Sequence, residues 1–411
     1  MTSRERVRKV LHFDKPDRLP IDFGGTQQTG IHVDEYVRLG QYLGVDFEVP
    51  KMYDQFQMLA RLDEWARKRL FSDVVLLEDP TVTWGLENKG WKPWVTSQGN
   101  TVLVPGAFET VADGKYTYIV DRNGKRLAYK SADSLYFDKT VVPSSGTGDY
   151  TYNDPKIWKN SIKLYTDEEL KKLETMAKFL YEYTDYSIFG GTDRGRLWST
   201  SQFAGHGLED WLCILLTDEE YASEMLCVFA ERATENFSLY LQAVGRYIDA
   251  LVVSSADYGS QKSELLNPRL FEELYAPNMK LINDFIHNNS RAKIYFHSCG
   301  SIRNILGAMI SAGVDIINPL QFTADNMDCE DIAGEFGGKV VFWGGGVDSQ
   351  TVLPYGTEDE VEAQVRERID LLSAKGGYVF APVHNVQFGV PIQNLLRAVD
   401  TAYQYGTRIY T

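Results

Sequence analysis

The sequence predicts an α/β protein of the (β/α)8 TIM barrel class, with an antiparallel β insertion after the second strand. Three observations predict it: eight short apolar runs of the fully buried kind, helix-start signals between them, and one aromatic, turn-rich stretch that breaks the alternation. The runs are Leu19–Phe23, Asp73–Glu78, Tyr186–Phe189, Ala250–Ser254, Ala292–His297, Val314–Asn318, Lys339–Trp343 and Tyr378–Ala381. Parallel strands covered by helices on one side and packed on the other carry apolar residues on both faces, which is why these runs are continuous rather than alternating.

The intervening helices announce themselves at their starts. Thr166 with Glu169, Thr217 with Glu220, and Thr357 with Glu360 fit the capping box, and Asn267-Pro268 gives a cap followed by proline at the first helical position. The 357–374 helix repeats Val361, Val365, Ile369 and Leu372 at helical spacing. Residues 81–165 depart from this scheme. They hold Asp113-Gly114 and Asn123-Gly124, the latter between Tyr116–Val120 and Arg126–Tyr129, which reads as a hairpin closed by a type I′ turn. Trp84, Trp91, Trp94, Tyr116, Tyr118, Tyr129, Tyr136, Tyr150 and Tyr152 crowd the stretch and are expected to form its own small core. The domain division is therefore 1–80 and 166–411 for the barrel and 81–165 for the insertion, which leaves the C-terminal face and caps the site or forms a subunit contact.

Composition removes several function classes. With 411 residues and 44% hydrophobic content the chain can bury a large core, and its net charge of −15 disfavours nucleic acid or an anionic membrane as partner. The charged start Met1–Lys9 leads into no apolar run, and no segment approaches a membrane span, so a cytoplasmic location is expected. Four cysteines in a chain of this length are no disulfide framework; Cys213 and Cys227 fall in helical patterns as core residues, and Cys329 at a helix start.

The chemistry concentrates at strand ends, where parallel α/β folds place their sites. Ile294–Gly300 runs from an apolar strand into His297-Ser298-Cys299, and residues two apart on a strand point to one side. The fourth strand ends toward Asp257, and the eighth toward His384. Asp257, His297, Cys299 and His384 make a mixed oxygen, nitrogen and sulfur set that suits Zn²⁺ better than Mg²⁺ or Ca²⁺. The seventh strand runs into Gly344-Gly345-Gly346 and then Asp348, a turn that permits close backbone approach but carries no dinucleotide or phosphate fingerprint. Asp257 and Asp348 are the candidate catalytic carboxylates, Asp348 having the alternative of fixing the glycine turn. Tyr258, Gln261, Trp343 and Asn385 are the candidates for lining a substrate pocket.

The motifs His297-Ser-Cys299-Gly, Ala312–Pro319, Phe342–Asp348 and Gly376–His384, with Arg4-Glu5-Arg6-Val7 and Lys15–Pro20, resemble the uroporphyrinogen decarboxylase-like superfamily over nearly the whole chain outside 81–165. The resemblance implies a (β/α)8 barrel of one of two kinds, a metal-free porphyrin decarboxylase or a zinc methyltransferase that exchanges a methyl group with a corrinoid protein. Porphyrin decarboxylases hold a poly-carboxylate with an arginine pair after the first strand, whereas here no arginine lies between Arg18 and Arg38. The methyltransferase branch carries zinc on His-x-Cys and a later cysteine, with an acid from the fourth strand. This chain matches at His297, Cys299 and Asp257 and has His384 where that cysteine would stand. An imidazole in place of a thiolate leaves the zinc more electrophilic, which suits an ether, alcohol or amine leaving group. With no Asp-x-His-x-x-Gly corrinoid-ligand motif in the chain, the cobalamin is expected on a separate protein. Decarboxylation of a smaller carboxylic acid, and a non-catalytic relative that binds a corrinoid partner, are the other readings.

Overall fold

The computed structural model describes residues 1–137, 139–140, 152–191 and 202–410. Its centre is a curled sheet of seven parallel strands. In chain order they are Val74–Leu76, Ser187–Gly191, Ala250–Ser255, Lys293–His297, Ile316–Asn318, Val341–Trp343 and Tyr378–Val379, each pairing with the next. Seven of the eight expected strands are thus present in the expected order.

The first expected strand, Leu19–Phe23, forms no full ladder, and its own chemistry explains why. Pro20 has no N–H. Ile21 N donates to Asp73 Oδ2 at 3.0 Å and Phe23 N to Ser72 Oγ at 3.1 Å, so side chains replace strand carbonyls. The segment still spans the two edges of the sheet. Phe380 N donates to Pro20 O and Asp22 N to Phe380 O, both at 2.9 Å, while Asp73 N donates to Ile21 O at 2.7 Å on the other side.

Strand residues alternate between two apolar compartments, as a pleated strand requires. Val74, Phe189, Val252, Tyr295, Trp343 and Val379 pack together inside the curl, and Val7, Val10 and Leu11 of the Ser3–Leu11 helix join them. Leu251, Val253, Ile294, Phe296 and Phe342 point outward to the helices, including the 26-residue Glu219–Val244 helix. Among the described residues no helix is long and apolar enough to cross a membrane.

The capping boxes at Thr166 and Thr357 and the Asn267-Pro268 start are present as expected. The box at Thr217 is not. Thr217 ends the Leu208–Thr217 helix, and Asp218 caps the next by accepting from Tyr221 N. Cys329 is buried at a helix start, but Cys213 and Cys227 are exposed rather than core residues, because they lie on the solvent sides of their helices.

Between the first and second sheet strands the described residues pair antiparallel. Thr81–Val82 pairs with Leu86–Glu87, Lys92–Val95 with Thr101–Val104, and Glu109–Asp113, Tyr116–Val120, Arg126–Ser131 and Lys139–Thr140 form a four-stranded sheet. The Asn123-Gly124 turn is not type I′, which needs two positive φ angles; only Gly124 has one, at +76°. Gly124 N donates to Asp121 O, so a tight turn is followed by a left-handed glycine. The expected self-contained aromatic core is also revised. Val102, Val104, Phe108, Ile119, Ala128 and Phe137 belong to the same continuous core as the helix-covered side of the main sheet, while Tyr116 meets Tyr118 and Tyr129 edge to face outside it. Tyr150 lies outside the described residues.

Candidate metal centre

Two loops that cross backbone to backbone build the centre. Beyond the Lys293–His297 strand, Ser298 N donates to Asn318 O at 2.7 Å, and the chain then turns at Gly300, whose φ is +85°. A Cβ on Gly300 would stand 2.3 Å from the carbonyl carbon of Gly259, on the loop after the Ala250–Ser255 strand. Only glycine permits that approach. The crossing brings Cys299 N to 2.8 Å from Asp257 Oδ1, and Gly300 N donates to Gln321 Oε1 at 2.8 Å. His384 arrives from beyond the last strand, its backbone N donating to Ser349 Oγ at 3.1 Å.

The result is a cluster of three donors. One ligand atom each from His297, Cys299 and His384 lies within 4.8 Å of the others. Cys299 Sγ is 3.7 Å from His297 Nε2, and Asp257 Oδ1 is 3.4 Å from the same nitrogen. Tetrahedral zinc with bonds of about 2.0–2.3 Å sets ligand atoms roughly 3.3–3.8 Å apart, so the donor set fits zinc in chemistry, and the Cys299–His297 and Asp257–His297 separations match that spacing. Three protein donors leave a fourth position for Asp257, water or substrate.

Electrostatics prepares these groups for a cation. Burial, with the positive charge of His297 next, pushes the His384 pKa down to about 4, so the ring is neutral near pH 7 and has a lone pair free. Burial and then the Asp257 carboxylate push the Cys299 thiol well above its ordinary value, so its thiolate requires a cation beside it. Burial raises the Asp257 pKa, but the hydrogen bond and charge of His297 and the Cys299 amide outweigh it and hold the carboxyl below its ordinary range. Farther in, His297 Nδ1 lies 2.7 Å from Asn318 Oδ1, Asn318 Nδ2 donates to Trp343 O at 2.8 Å, and Trp343 Nε1 donates to Asp22 Oδ2 at 2.9 Å. Burial pushes buried Asp22 up to about 6, against the bonds from Trp343 and Gly25.

Of the other expected site residues, Asn385 stays beside the centre and the rest lie apart from it. Tyr258 is a core residue between Phe271, Tyr275 and Phe296, with its backbone N held by Ser298 Oγ at 2.9 Å. Gln261 is exposed, and its carbonyl receives Asp325 N. Trp343 lies inside the curl, and Asp348 holds its turn by accepting from Gln350 N, Thr351 N and Oγ1, and Val352 N. Asn385 is buried beside His384, accepting from Tyr136 Oη at 2.8 Å and donating to Gln57 Oε1 at 2.9 Å. Sequence reasoning missed Asn318 and Tyr136 as neighbours of the centre. Asn318 ends a predicted strand two residues past the inward-facing Ile316, and that register was the available signal. Nothing in the sequence marks Tyr136. A cleft of mixed lining opens at the same end of the sheet, with Thr26, Gln27, Glu78 and Asp79 facing Leu77 and Val82; no lysine or arginine lines it among the described residues.

Residues 202–405 match the uroporphyrinogen decarboxylase (URO-D) family, and they carry all four residues of the centre. Over this stretch the chain is similar to the uroporphyrinogen decarboxylase-like superfamily, as its motifs led us to expect. A methyltransferase from Methanosarcina mazei shares the fold, with a TM-score of 0.55 at 15% identity over 98% of each chain. Two weaker overlaps add nothing to the assignment. One is with AoRut, at a TM-score of 0.37 and 13% identity over 57% of this chain and 72% of that one. The other is with the GH53 catalytic domain of Ignisphaera aggregans, at 0.31 and 11% over 93% and 99%. No curated protein matches the chain by sequence.

Proposed function

We propose that this protein is a zinc-dependent methyltransferase of the cytoplasm, moving a methyl group between a small methylated substrate and a corrinoid carried by a separate protein. The observation that carries the reading is the convergence of His297, Cys299 and His384 from two strand ends, with Asp257 beside them and one position left open. Zinc held there would supply Lewis-acid polarisation of the heteroatom that leaves the methyl group. His297 and His384 would hold it as neutral imidazoles and Cys299 as its single thiolate. Asp257, half exposed and kept ionised, would take the fourth position or accept a hydrogen bond from the protonated leaving group. The partner's corrinoid would supply the nucleophile that accepts the methyl group, and the departing heteroatom would take up a proton from solvent.

Porphyrin decarboxylation is disfavoured by charge. Residues 21–28 contain no cation to meet several carboxylates: Asp22 is buried inside the curl, Thr26 and Gln27 line the cleft, and Arg18 is committed to Asp73. In the same reading, residues 19–23 complete an eight-membered barrel made of 1–80 and 166–411, and 81–165 is an insertion capping its mouth. Tyr136 reaching Asn385 supports the cap.

The test is spectroscopic. Zinc-loaded protein, a Co(I) corrinoid protein from the same organism and a panel of methyl ethers, alcohols and methylamines should give loss of Co(I) absorption and growth of methyl-Co(III) with one donor. No spectral change with any donor, together with CO₂ release from a carboxylic acid panel, would replace methyl transfer by decarboxylation.

A further inference from the structure

We infer that Asn318 is the positioning residue of His297, fixing the tautomer and ring orientation that turn Nε2 toward Cys299 and Asp257. The inference rests on the metal-centre reading for its consequence, but its geometry stands in the chain alone. His297 Nδ1 lies 2.7 Å from Asn318 Oδ1, and both residues are almost fully buried, at 3% and 1% exposure. A carboxamide can present either an oxygen or an amino group, and only the oxygen can accept a proton from Nδ1. The far side of the amide decides between them. Asn318 Nδ2 donates to the Trp343 carbonyl at 2.8 Å, and a flipped amide would set oxygen against oxygen there and an N–H₂ against the ring.

Trp343 is in turn held by the sheet and by its indole. Val341–Trp343 lies between its two neighbouring strands, and Trp343 Nε1 donates to Asp22 Oδ2 at 2.9 Å in the interior of the curl. Asn318 is therefore anchored through rigid elements, and whenever His297 is neutral the proton on Nδ1 leaves its lone pair on Nε2. That is the nitrogen 3.7 Å from Cys299 Sγ and 3.4 Å from Asp257 Oδ1. The acceptor is a neutral amide, where a carboxylate would make the imidazole more basic, so the arrangement orients the ring without adding negative charge to the site.

The test uses two readouts. In the full-length, metal-free protein at mildly alkaline pH, ¹⁵N NMR of the imidazoles should show His297, identified by its loss in His297→Gln, with the proton on Nδ1. Asn318→Leu should move that proton to Nε2 or average it over both nitrogens, and should weaken zinc binding roughly 10–100-fold in competition with a chromophoric chelator. Asn318→Asp keeps the acceptor and should keep the Nδ1–H signal, which serves as the test if the leucine variant does not fold. An unchanged Nδ1–H signal in Asn318→Leu with zinc affinity within twofold of wild type, or loss of that signal in Asn318→Asp, would overturn the inference. Wild-type protein that shows the stated tautomer but takes up no zinc would refute the proposed function while leaving the positioning role standing.

Discussion

Gly300→Ala tests whether the crossing of the two loops is what assembles the centre. Two penalties add at this position. An alanine at φ +85° pays about 1–2 kcal/mol for a left-handed backbone. Its Cβ would also lie 2.3 Å from Gly259 C and 2.4 Å from Gly259 O, both backbone atoms that cannot rotate away. Ordinary contact begins near 3.4 Å, so the loops must part by about 1 Å. That movement pulls on the bonds from Ser301 N to Ser260 O and from Cys299 N to Asp257 Oδ1, each 2.8 Å long. At about 1 kcal/mol for the first and 1.5–3 for the charged second, the whole loss is about 3.5–6 kcal/mol. Gly44→Ala is the control, because Gly44 also has a positive φ, +62°, but open space around its Cβ position, and should lose only about 1–2 kcal/mol. Urea unfolding of wild type and the two variants, with zinc content measured on each, separates the penalties. Gly300→Ala should be the less stable by several kcal/mol and should hold less zinc. A Gly300→Ala protein as stable as Gly44→Ala and fully loaded would refute the claim that this contact positions Cys299 and Asp257.

Further outcomes follow from other parts of the structure. Burial, opposed by Asp34 next, pushes His32 down to about 4 from an ordinary 6.5, so the unfolded chain takes its proton first. The stability His32 contributes is intact above pH 6.5 and lost as pH falls toward 4, by about 3 kcal/mol in all; His32→Asn should remove that part of the pH slope in denaturation series, and an unchanged slope would contradict it. Asp348→Ala should lose about 1–2 kcal/mol in thermal or urea unfolding, through the backbone donors it caps, with zinc stoichiometry unchanged; loss of zinc instead would return Asp348 to the centre. Replacing 81–165 by a short linker should abolish cooperative folding by circular dichroism, since Val102, Val104, Phe108 and Phe137 are part of the main core. A soluble, cooperatively melting remnant would contradict that.

Much of the scaffold was legible because buried parallel strands leave continuous apolar runs and helix starts leave caps. The strand at 19–23 read as regular from composition, yet its ladder is completed by Asp73 and Ser72, a tertiary arrangement that no local pattern encodes. His297, Cys299 and Asp257 were legible from strand register, and His384 from its place after the last strand. Tyr258 and Asp348 carry polar groups next to these strand ends, but register alone does not say whether a side chain turns into the mouth, into the core or back onto its own turn. Asn318 and Tyr136 matter through partners 21 and 249 residues away, and such separations are invisible to spacing rules.

Metal analysis of the wild-type chain beside Cys299→Ala and His384→Ala tests the central claim most directly. The wild type should hold about one zinc per chain, and each variant should lose it while keeping a cooperative unfolding transition. Full zinc in His384→Ala would remove His384 from the centre, and a wild type that binds no zinc when supplied with it would contradict the account.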